Sequence, residues 1–528
     1  MPNVLDRFLI SVDRHPDRPA LWADGRELSY AELHRRAAEL AAAIGPAPAG
    51  GGCCAIFACR SVSAYAGILG ALLAGWTYMP LNPRFPEARN RRMVASSEAS
   101  VMVVDTRCLE PARLVLAQCS PGLRVVLADL TTPPAWASAE SPHHFVTAGA
   151  VGSGPAPLPR PFADDALAYL LFTSGSTGEP KGVGVTHANL AAYIEAVTDR
   201  YRPTPEDRFS QMFDLTFDLA MHDLFVCWSA AACLYVIPED QLMAPDRFVR
   251  EHALTVWFSV PSAAGILKRL KRLKPACFPS LRWSLFCGEP LPTGLAGDWC
   301  AAAPNSTVEN LYGPTEATIA FTVFRFVPDD PAAEDFPVVP LGLPLPGQEL
   351  LVVDERCSPL ADGMEGELCL GGTQVTPGYW HNPELTADRF VAIAAEGRHC
   401  RRWYRTGDLA RLDAKVGYVF LGRVDRQVKI RGFRVELQEI EAVLRRAAGT
   451  ELVAVLTSPP GEVAASSVVA FICGGAIATD AVLNACREAL PDYMVPAAIH
   501  PIDEMPRNFN GKIDYKALTQ YFFAKGNG

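Results

Sequence analysis

The sequence predicts a mixed α/β chain with a large N-terminal unit and a small C-terminal one. Three observations carry this. Helical and strand-like patterns alternate from the N-terminus to about residue 325, the signature of layered sheets and helices. The character changes after Gly422, where about 100 residues read as a compact α/β unit of their own. The 528 residues, 49% hydrophobic and 20% charged, are enough for several folding units with buried cores.

Ser29 to Ile44 (SYAELHRRAAELAAAI) places apolar residues at helical spacing. Ala64 to Leu81 is uncharged and near the length of a membrane span. Gly75, Thr77 and Pro80 break it, so it reads as a buried helix to Ala74 followed by a strand. Val101 to Val104 and Val125 to Leu127 are β-rich runs. Residues 131 to 163, rich in Pro, Ala, Ser and Gly, read as an exposed connection that includes His143 and His144. Ala166 to Phe172 is a short apolar strand. Lys268 to Lys274 reads as a solvated helix face. Beyond the Pro-rich stretch 328–346 come the short strands ELLVVD, GELCLGG and GYVFLGR. In the C-terminal unit, Val435 to Ala448 reads as an amphipathic helix, and Glu451 to Leu456 and Val468 to Cys473 as strands. Thr479 and Asp480 are suited to cap a helix that Pro491 stops after Leu490.

The net charge is −10, from 48 basic and 58 acidic residues, with no basic stripe. That argues against nucleic-acid binding, where affinity rests on neutralised phosphates. The 15 cysteines are scattered, without a C-x-x-C pair, which points to reduced thiols rather than a disulfide framework or zinc site. MPNVLDRF places Asp6 and Arg7 where a signal peptide needs apolar residues, so a cytoplasmic protein without a membrane span is expected.

The strongest chemical signal is Thr173 to Gly182, T-S-G-S-T-G-E-P-K-G. Its three glycines open backbone conformations closed to other residues, and successive amides can then line an anion-binding concavity. Hydroxyls from Thr173, Ser174, Ser176 and Thr177 add donors, and Lys181 adds charge. The composition suits a polyphosphate. It is not the Walker A spacing, because Glu179 and Pro180 separate Gly178 from Lys181.

This loop resembles the phosphate loop of the adenylate-forming superfamily, which includes acyl-CoA synthetases, luciferases and nonribosomal peptide adenylation domains. Other segments match in the same order: Leu28 to Leu33 (LSYAEL), Leu73 to Pro83 (LAGWTYMPLNP), Asn310 to Thr318 (NLYGPTEAT) and Gly366 to Trp380. Tyr404 to Leu409 (YRTGDL), Leu421 to Glu436 (LGRVDRQVKIRGFRVE) and Asn510 to Lys512 (NGK) follow. The resemblance implies a large AMP-binding domain, 1–422, of layered sheets and helices (αβαβα-like) with a small β-barrel-like part. A small mobile α/β lid, 423–528, would follow. ATP and Mg²⁺ are the implied cofactors. Thr173, Ser174, Gly175, Ser176, Thr177, Gly178 and Lys181 would cradle phosphates. Tyr312 and Gly313 would face adenine, Thr315 the α-phosphate, and Glu316 would hold the metal through a hard oxygen. Asp408 would bind both ribose hydroxyls, with Arg423 a second ribose contact. Lys512, in the lid, would bridge the substrate carboxylate and the nucleotide. Asp425 matches the hinge position, and a second orientation of the lid would bring the Gly432 loop towards a thiol acceptor.

Thr216 to Val236 aligns with the family's pocket-forming stretch. Of the two Phe-Asp pairs, 213–214 and 217–218, only the second keeps the downstream residues in step. Asp218 then falls where amino-acid-activating members hold the α-ammonium; its other reading is a helix cap. The remaining wall would be Leu219, His222, Ser259, Leu285, Cys287, Leu311, Ile319 and Ala320, which favours a small amino acid such as alanine, serine, cysteine or threonine. His222 and Cys287 read equally well as core residues. Leu285 to Glu289 (LFCGE) is similar to the corresponding string of D-alanine–carrier protein ligases.

Only 16 residues follow Lys512, too few for a carrier domain. The expected reaction is ATP-dependent amino acid adenylation, then transfer to the phosphopantetheine of a separate carrier protein, or to CoA. The competing readings are a carboxylic acid–CoA ligase and a non-catalytic nucleotide-binding protein of the same fold.

Overall fold

The computed structural model describes residues 2–137, 141–150, 162–175, 179–330, 336–395, 397–400, 402–458, 464–474, 477–507 and 513–524. Among these residues the strands form five sheets interleaved with helices, the expected mixed α/β architecture.

The first sheet has seven strands in the order His144–Thr147, Arg124–Leu127, Val101–Val104, Cys53–Phe57, Thr77–Leu81, Leu167–Thr173 and Lys181–Thr186. All neighbours are parallel except the last pair, an antiparallel hairpin whose closing loop is the Gly/Ser/Thr segment. The second sheet has nine strands, with Cys233–Val236, Arg208–Gln211, Val256–Ser259, Trp283–Phe286 and Thr307–Tyr312 parallel at its centre. Buried helices pack between these sheets. Val62–Leu73 is buried at every position, as its uncharged sequence requires, and Thr77–Leu81 follows as a strand. Tyr30–Ile44 and His187–Tyr201 both begin with capping boxes, Ser29 with Glu32 and Thr186 with Asn189. One buried cluster unites residues of both sheets with these helices and with Leu219–Ser229. No described helix is long and apolar enough to cross a membrane.

The third sheet is a curled half-barrel of five antiparallel strands: Gln348–Val353, Gly366–Gly372, Phe390–Ala392, Arg402–Asp413 and Gly417–Arg423. After Gly422 the chain forms two three-stranded sheets flanked by Leu437–Ala448, Thr479–Ala489 and Tyr515–Ala524, with buried clusters of their own.

Several expectations need correction. Residues 131–163 are not wholly an exposed connection, since His144–Thr147 extends the parallel sheet and His143 is buried with Nε2 on the Leu116 carbonyl at 2.9 Å. The apolar run HFVT is too short to stand out from its Pro- and Ser-rich flanks. The helix Pro261–Arg269 ends inside the 268–274 stretch, and Lys271 adopts φ +57°. Phe433–Glu436 is a strand, so the following helix is Leu437–Ala448 and not Val435 to Ala448. The strand expected at Glu451 to Leu456 is Val453–Ser458. Thr479 and Asp480 lie within the first turn of their helix, and no side chain caps it.

Candidate functional site

The phosphate-type loop is pinned by its flanking hairpin, in which Thr173 pairs with Lys181. A Cβ on Gly175 would stand 2.0 Å from the Glu179 carbonyl oxygen, so only glycine fits there. Thr173 Oγ1 is buried without a partner. Ser176, Thr177 and Gly178 lie outside the described residues, as does Lys512.

Glu316 sits in the 3₁₀ turn Thr315–Ala317, directly after the strand Thr307–Tyr312, and is fully buried. Tyr379 donates to Oε1 at 2.7 Å, Lys181 Nζ lies 3.3 Å from the same oxygen, and Arg434 donates to Oε2 at 2.6 Å. Burial alone would raise its pKa. Arg434, then Lys181 and the Tyr379 hydroxyl, hold it well below the ordinary carboxylate range. Lys181 is pushed down to about 8, by burial first and by Arg434 second. No group of three or more His, Cys, Asp or Glu side chains that could hold a metal occurs among the described residues. Among the described residues an ion here would find the hard oxygens of Glu316, a donor that fits Mg²⁺ held mainly by phosphates and water.

Asp408 and Arg423 are cross-strand neighbours in the half-barrel. Tyr312 Oη donates to Asp408 at 2.5 Å, and Arg423 pairs with both Asp408 and Asp425. A cavity beside them is lined by Gly313, Val338, Leu341 and Phe420. Flat apolar walls next to a carboxylate and a guanidinium give a surface on which a nucleoside can stack and hydrogen-bond. Val338, Leu341 and Phe420 were not legible in the sequence, because isolated apolar residues carry no signal.

Several residues expected in the amino-acid wall lie where parallel strands end, the usual ligand position in open α/β sheets, but of that set only Leu219 lines the cavity that contains Asp218. Ser259 ends one strand, Leu285 and Cys287 flank the end of the next, and Leu311 lies near the end of the third. Leu219, Leu285, Cys287, Leu311, Ile319 and Ala320 belong to one buried cluster. Ser259 Oγ accepts from Trp257 Nε1 at 2.9 Å and donates to the Val260 carbonyl at 3.1 Å, so its polarity serves its own strand. His222 Nδ1 shares a 2.7 Å hydrogen bond with Tyr193, and burial pushes its pKa down to about 3, so the ring is neutral. Burial lifts the Cys287 thiol to about 12. All fifteen cysteines are among the described residues and are free thiols.

Asp218 stands at the start of the helix Leu219–Ser229 but makes no capping hydrogen bond. It is 3% exposed and its Oδ2 has no partner. Burial lifts it to about 6, against a Thr315 hydrogen bond and the Lys429 charge. Asp214 differs: it accepts from Asn82 and from the amide and hydroxyl of Thr216, the pattern of a satisfied turn.

The Gly432 loop and Ser174 carried a sequence assignment, but Arg89, Lys429, Phe433, Arg434 and Glu439 around them did not. The hairpin of Gln427–Ile430 and Phe433–Glu436 enters the site with Gly432 at its tip, φ +86°, against Val260. Ser174 Oγ donates to the Arg434 carbonyl at 2.7 Å and accepts from the Glu436 amide at 3.2 Å. Phe433 stacks between Phe217, at 5.9 Å, and Tyr493, at 4.0 Å. Buried Arg89 and Glu439 pair at 2.5 Å. Lys429 lines one cavity with Asp218. The signal for this group was the string KIRGFR, three cations around a glycine.

The AMP-binding enzyme family matches residues 8–380. The chain is 35% identical over 466 residues to L-proline--[L-prolyl-carrier protein] ligase of Streptomyces coelicolor, covering 85% of this chain and 84% of that one. It is 33% identical over 519 residues to tyrocidine synthase 2 of Brevibacillus parabrevis, covering 96% of this chain but spanning only 13% of that protein's length. The Vibrio cholerae adenylation domain AlmE, solved with glycyl-adenosine-5'-phosphate, superposes with a TM-score of 0.88 at 33% identity, over 99% of this chain and 98% of that one. On these matches the chain belongs to the AMP-binding enzyme family, within its adenylation-domain branch.

Proposed function

We propose that this chain activates the carboxylate of a small amino acid with ATP and passes the aminoacyl group to the phosphopantetheine thiol of a separate carrier protein. The observation that carries the reading is Asp218, a buried carboxylate with an unpartnered oxygen in a cavity of about 50 Å³. A carboxylate so placed calls for a cation, and an α-ammonium supplies one. The small cavity favours a short side chain, in keeping with Leu311 and Ile319, which the family resemblance assigns to the far wall. Glycine joins alanine, serine, cysteine and threonine as a candidate, since AlmE was solved with a glycyl adenylate.

In the first step a substrate carboxylate oxygen attacks the α-phosphorus of ATP. The bond to the bridging oxygen breaks and pyrophosphate leaves. Lys181, Thr173 and the glycine loop would neutralise the departing phosphates, Thr315 would donate to the α-phosphate, and Asp408 with Arg423 would fix the ribose while Tyr312 faces the base. Bound at Glu316, Mg²⁺ would offset phosphate charge. Lys512 would bridge the two reacting anions. In the second step the thiol sulfur attacks the acyl carbon, AMP leaves, and the thiol proton passes to solvent. This reading includes a division into a large unit, 1–422, and a small one, 423–528, that turn about Asp425. The docked Gly432 hairpin suits the second step, because it lies beside Asp218 where a thiol must arrive.

The test is amino-acid-dependent exchange of pyrophosphate into ATP, over small and large amino acids of both hands together with fatty and aryl acids. Exchange with small amino acids is expected. Exchange with acyl or aryl acids alone would mean a CoA-type ligase, and none with any acid would mean a nucleotide-binding protein without this chemistry.

A further inference from the structure

Ile319, which the proposed amino-acid pocket takes as its far wall, has a backbone conformation that a β-branched residue avoids. Thr318 has φ +58° and Ile319 φ +71°. Two consecutive non-glycine residues with positive φ persist only where surrounding contacts impose them. Both are fully buried.

Three of the imposing contacts come from one side chain. Gln374 is fully buried, and its Nε2 donates to the carbonyl of Ala320 at 2.7 Å, with longer contacts to those of Thr318 at 3.3 Å and Ala317 at 3.4 Å. Thr318 Oγ1 donates back to the Gln374 carbonyl at 2.6 Å. Two residues on, the Thr376 amide donates to the Glu316 carbonyl at 3.0 Å. The strap is itself anchored. The Gln374 amide donates to Gln348 Oε1 at 3.2 Å, and Asn189 Nδ2 donates to the Thr373 carbonyl at 2.7 Å. On the opposite side the loop is pressed against Gly313, where a Cβ would stand 2.7 Å from Ala320 Cα. Four carbonyls between Glu316 and Ala320 are thus tied to residues 374–376, and the Gln374 amide group holds three of them.

The geometry points to Gln374 as a positioning residue that sets the depth of the amino-acid pocket: it locks Thr318 and Ile319 in the left-handed region and so keeps the Ile319 side chain in the wall. This rests on the proposed amino-acid pocket and adds to it a selectivity determinant that touches neither substrate nor nucleotide. Without the amide donor, Thr318 and Ile319 are free to relax to negative φ, which withdraws Ile319 and opens the end of the pocket. The shape of the pocket is then a property of the half-barrel strap as much as of the strands that line it.

Gln374→Leu keeps the bulk and removes the donor. Amino-acid-dependent pyrophosphate exchange is measured for alanine and valine with the wild type, Gln374→Leu, Ile319→Ala and the double variant. The alanine-to-valine ratio of kcat/KM is expected to fall by about tenfold or more in Gln374→Leu, mainly through KM for valine. Ile319→Ala should give a similar fall and the double variant little more than either single one. An equal loss for both amino acids, with the ratio kept within about twofold, would make Gln374 merely structural and overturn the proposal. If Gln374→Leu does not accumulate as folded protein, Gln374→Asn, too short to reach all three carbonyls, carries the same comparison. Hydrogen exchange of the backbone amides of 317–321 separates this proposal from the functional reading. It should accelerate in either Gln374 variant while that of Val62–Leu73 stays unchanged, whether or not any amino acid is activated. Unchanged exchange at 317–321 would sink the clamp, whereas wild-type protein that exchanges pyrophosphate with no amino acid would sink the adenylation reading alone.

Discussion

Arg434 holds Glu316 through a 2.6 Å hydrogen bond on the oxygen opposite the one that Lys181 and Tyr379 engage. The pair joins the Gly432 hairpin to the turn that follows the strand Thr307–Tyr312. Arg434 takes one lone pair of Oε2 and places a positive charge where a cation would bind, so Arg434 and an Mg²⁺ ion at Glu316 would compete. Arg434→Gln removes that competitor, and the Mg²⁺ concentration for half-maximal pyrophosphate exchange should fall by about threefold to tenfold. Burial and Arg434 together push Lys181 down to about 8, so the same substitution should also move the alkaline loss of nucleotide binding to higher pH. A titration of Mg²⁺ and pH against exchange rate checks both, and an unchanged Mg²⁺ requirement would break the link between the two residues.

Asp218 gives a pH signature. Burial lifts its pKa from 3.8 to about 6, and only the ionised form can hold an ammonium. The KM for the amino acid should therefore rise about tenfold per pH unit below that value, with the KM for ATP unaffected. Asp218→Asn should raise the amino-acid KM about a hundredfold and remove this dependence. Stability runs the other way. A carboxyl whose folded-state pKa is raised contributes stability that is present below its unfolded value and lost as pH rises through the folded one. Without amino acid, Asp218→Asn should therefore be the more stable protein at pH 7, by at most about 3 kcal/mol. Denaturant unfolding at pH 4 and pH 7 measures it.

Most of the candidate site was named from the sequence because its residues sit in contiguous motifs. Thr173 with Lys181 and Asp408 with Arg423 are close in sequence and each pair lies on one hairpin, while Tyr312 ends the strand that leads into the turn of Glu316. The contacts that were not legible join distant segments through ordinary residue types. Gln374 reads as one more loop amide until its hydrogen bonds to 317–320 are seen. Arg89 and Glu439, 350 positions apart, each read as a surface charge on a helix until they prove buried together. Ser259 shows the converse. Its residue type suggested a polar pocket wall, yet its hydroxyl is consumed by Trp257 and Val260. Periodicity and motif spacing report local geometry, and the fate of a hydrogen-bonding group depends on which segment arrives opposite it.

That buried pair supplies a third prediction. Glu439 is 2% and Arg89 5% exposed, and burial raises the Glu439 pKa in spite of Arg89. Removing one partner strands the other, at a cost of about 3–5 kcal/mol, whereas replacing both with apolar residues is often neutral. Arg89→Leu should loosen the docked 427–436 hairpin, and Arg89→Leu with Glu439→Leu should restore it. Tryptic cleavage after Arg426 and Arg431 is the readout. It should accelerate by about tenfold or more in the single variant and return near the wild-type rate in the double one. Equal acceleration in both would show that the aromatic stack of Phe217, Phe433 and Tyr493 holds the hairpin without the ion pair.

The docked hairpin also bears on Lys512, which lies outside the described residues. Among the described residues the cations that line the Asp218 cavity are Arg89, Lys429 and Arg434, the last two from the hairpin. If the C-terminal unit serves the two half-reactions from two orientations, each orientation brings its own cation to the reacting anions, and Lys512 is needed only while carboxylate and phosphate are being joined. Lys512→Ala should then abolish pyrophosphate exchange while leaving thioester formation from a preformed aminoacyl adenylate within about threefold of wild type. Lys429→Ala should show the reverse bias, because the docked hairpin is what brings the Lys429 charge to Asp218 here. Measuring both half-reactions in both variants gives a two-by-two comparison. Parallel losses would mean that one fixed arrangement serves both steps, and opposed losses are the result that two orientations require.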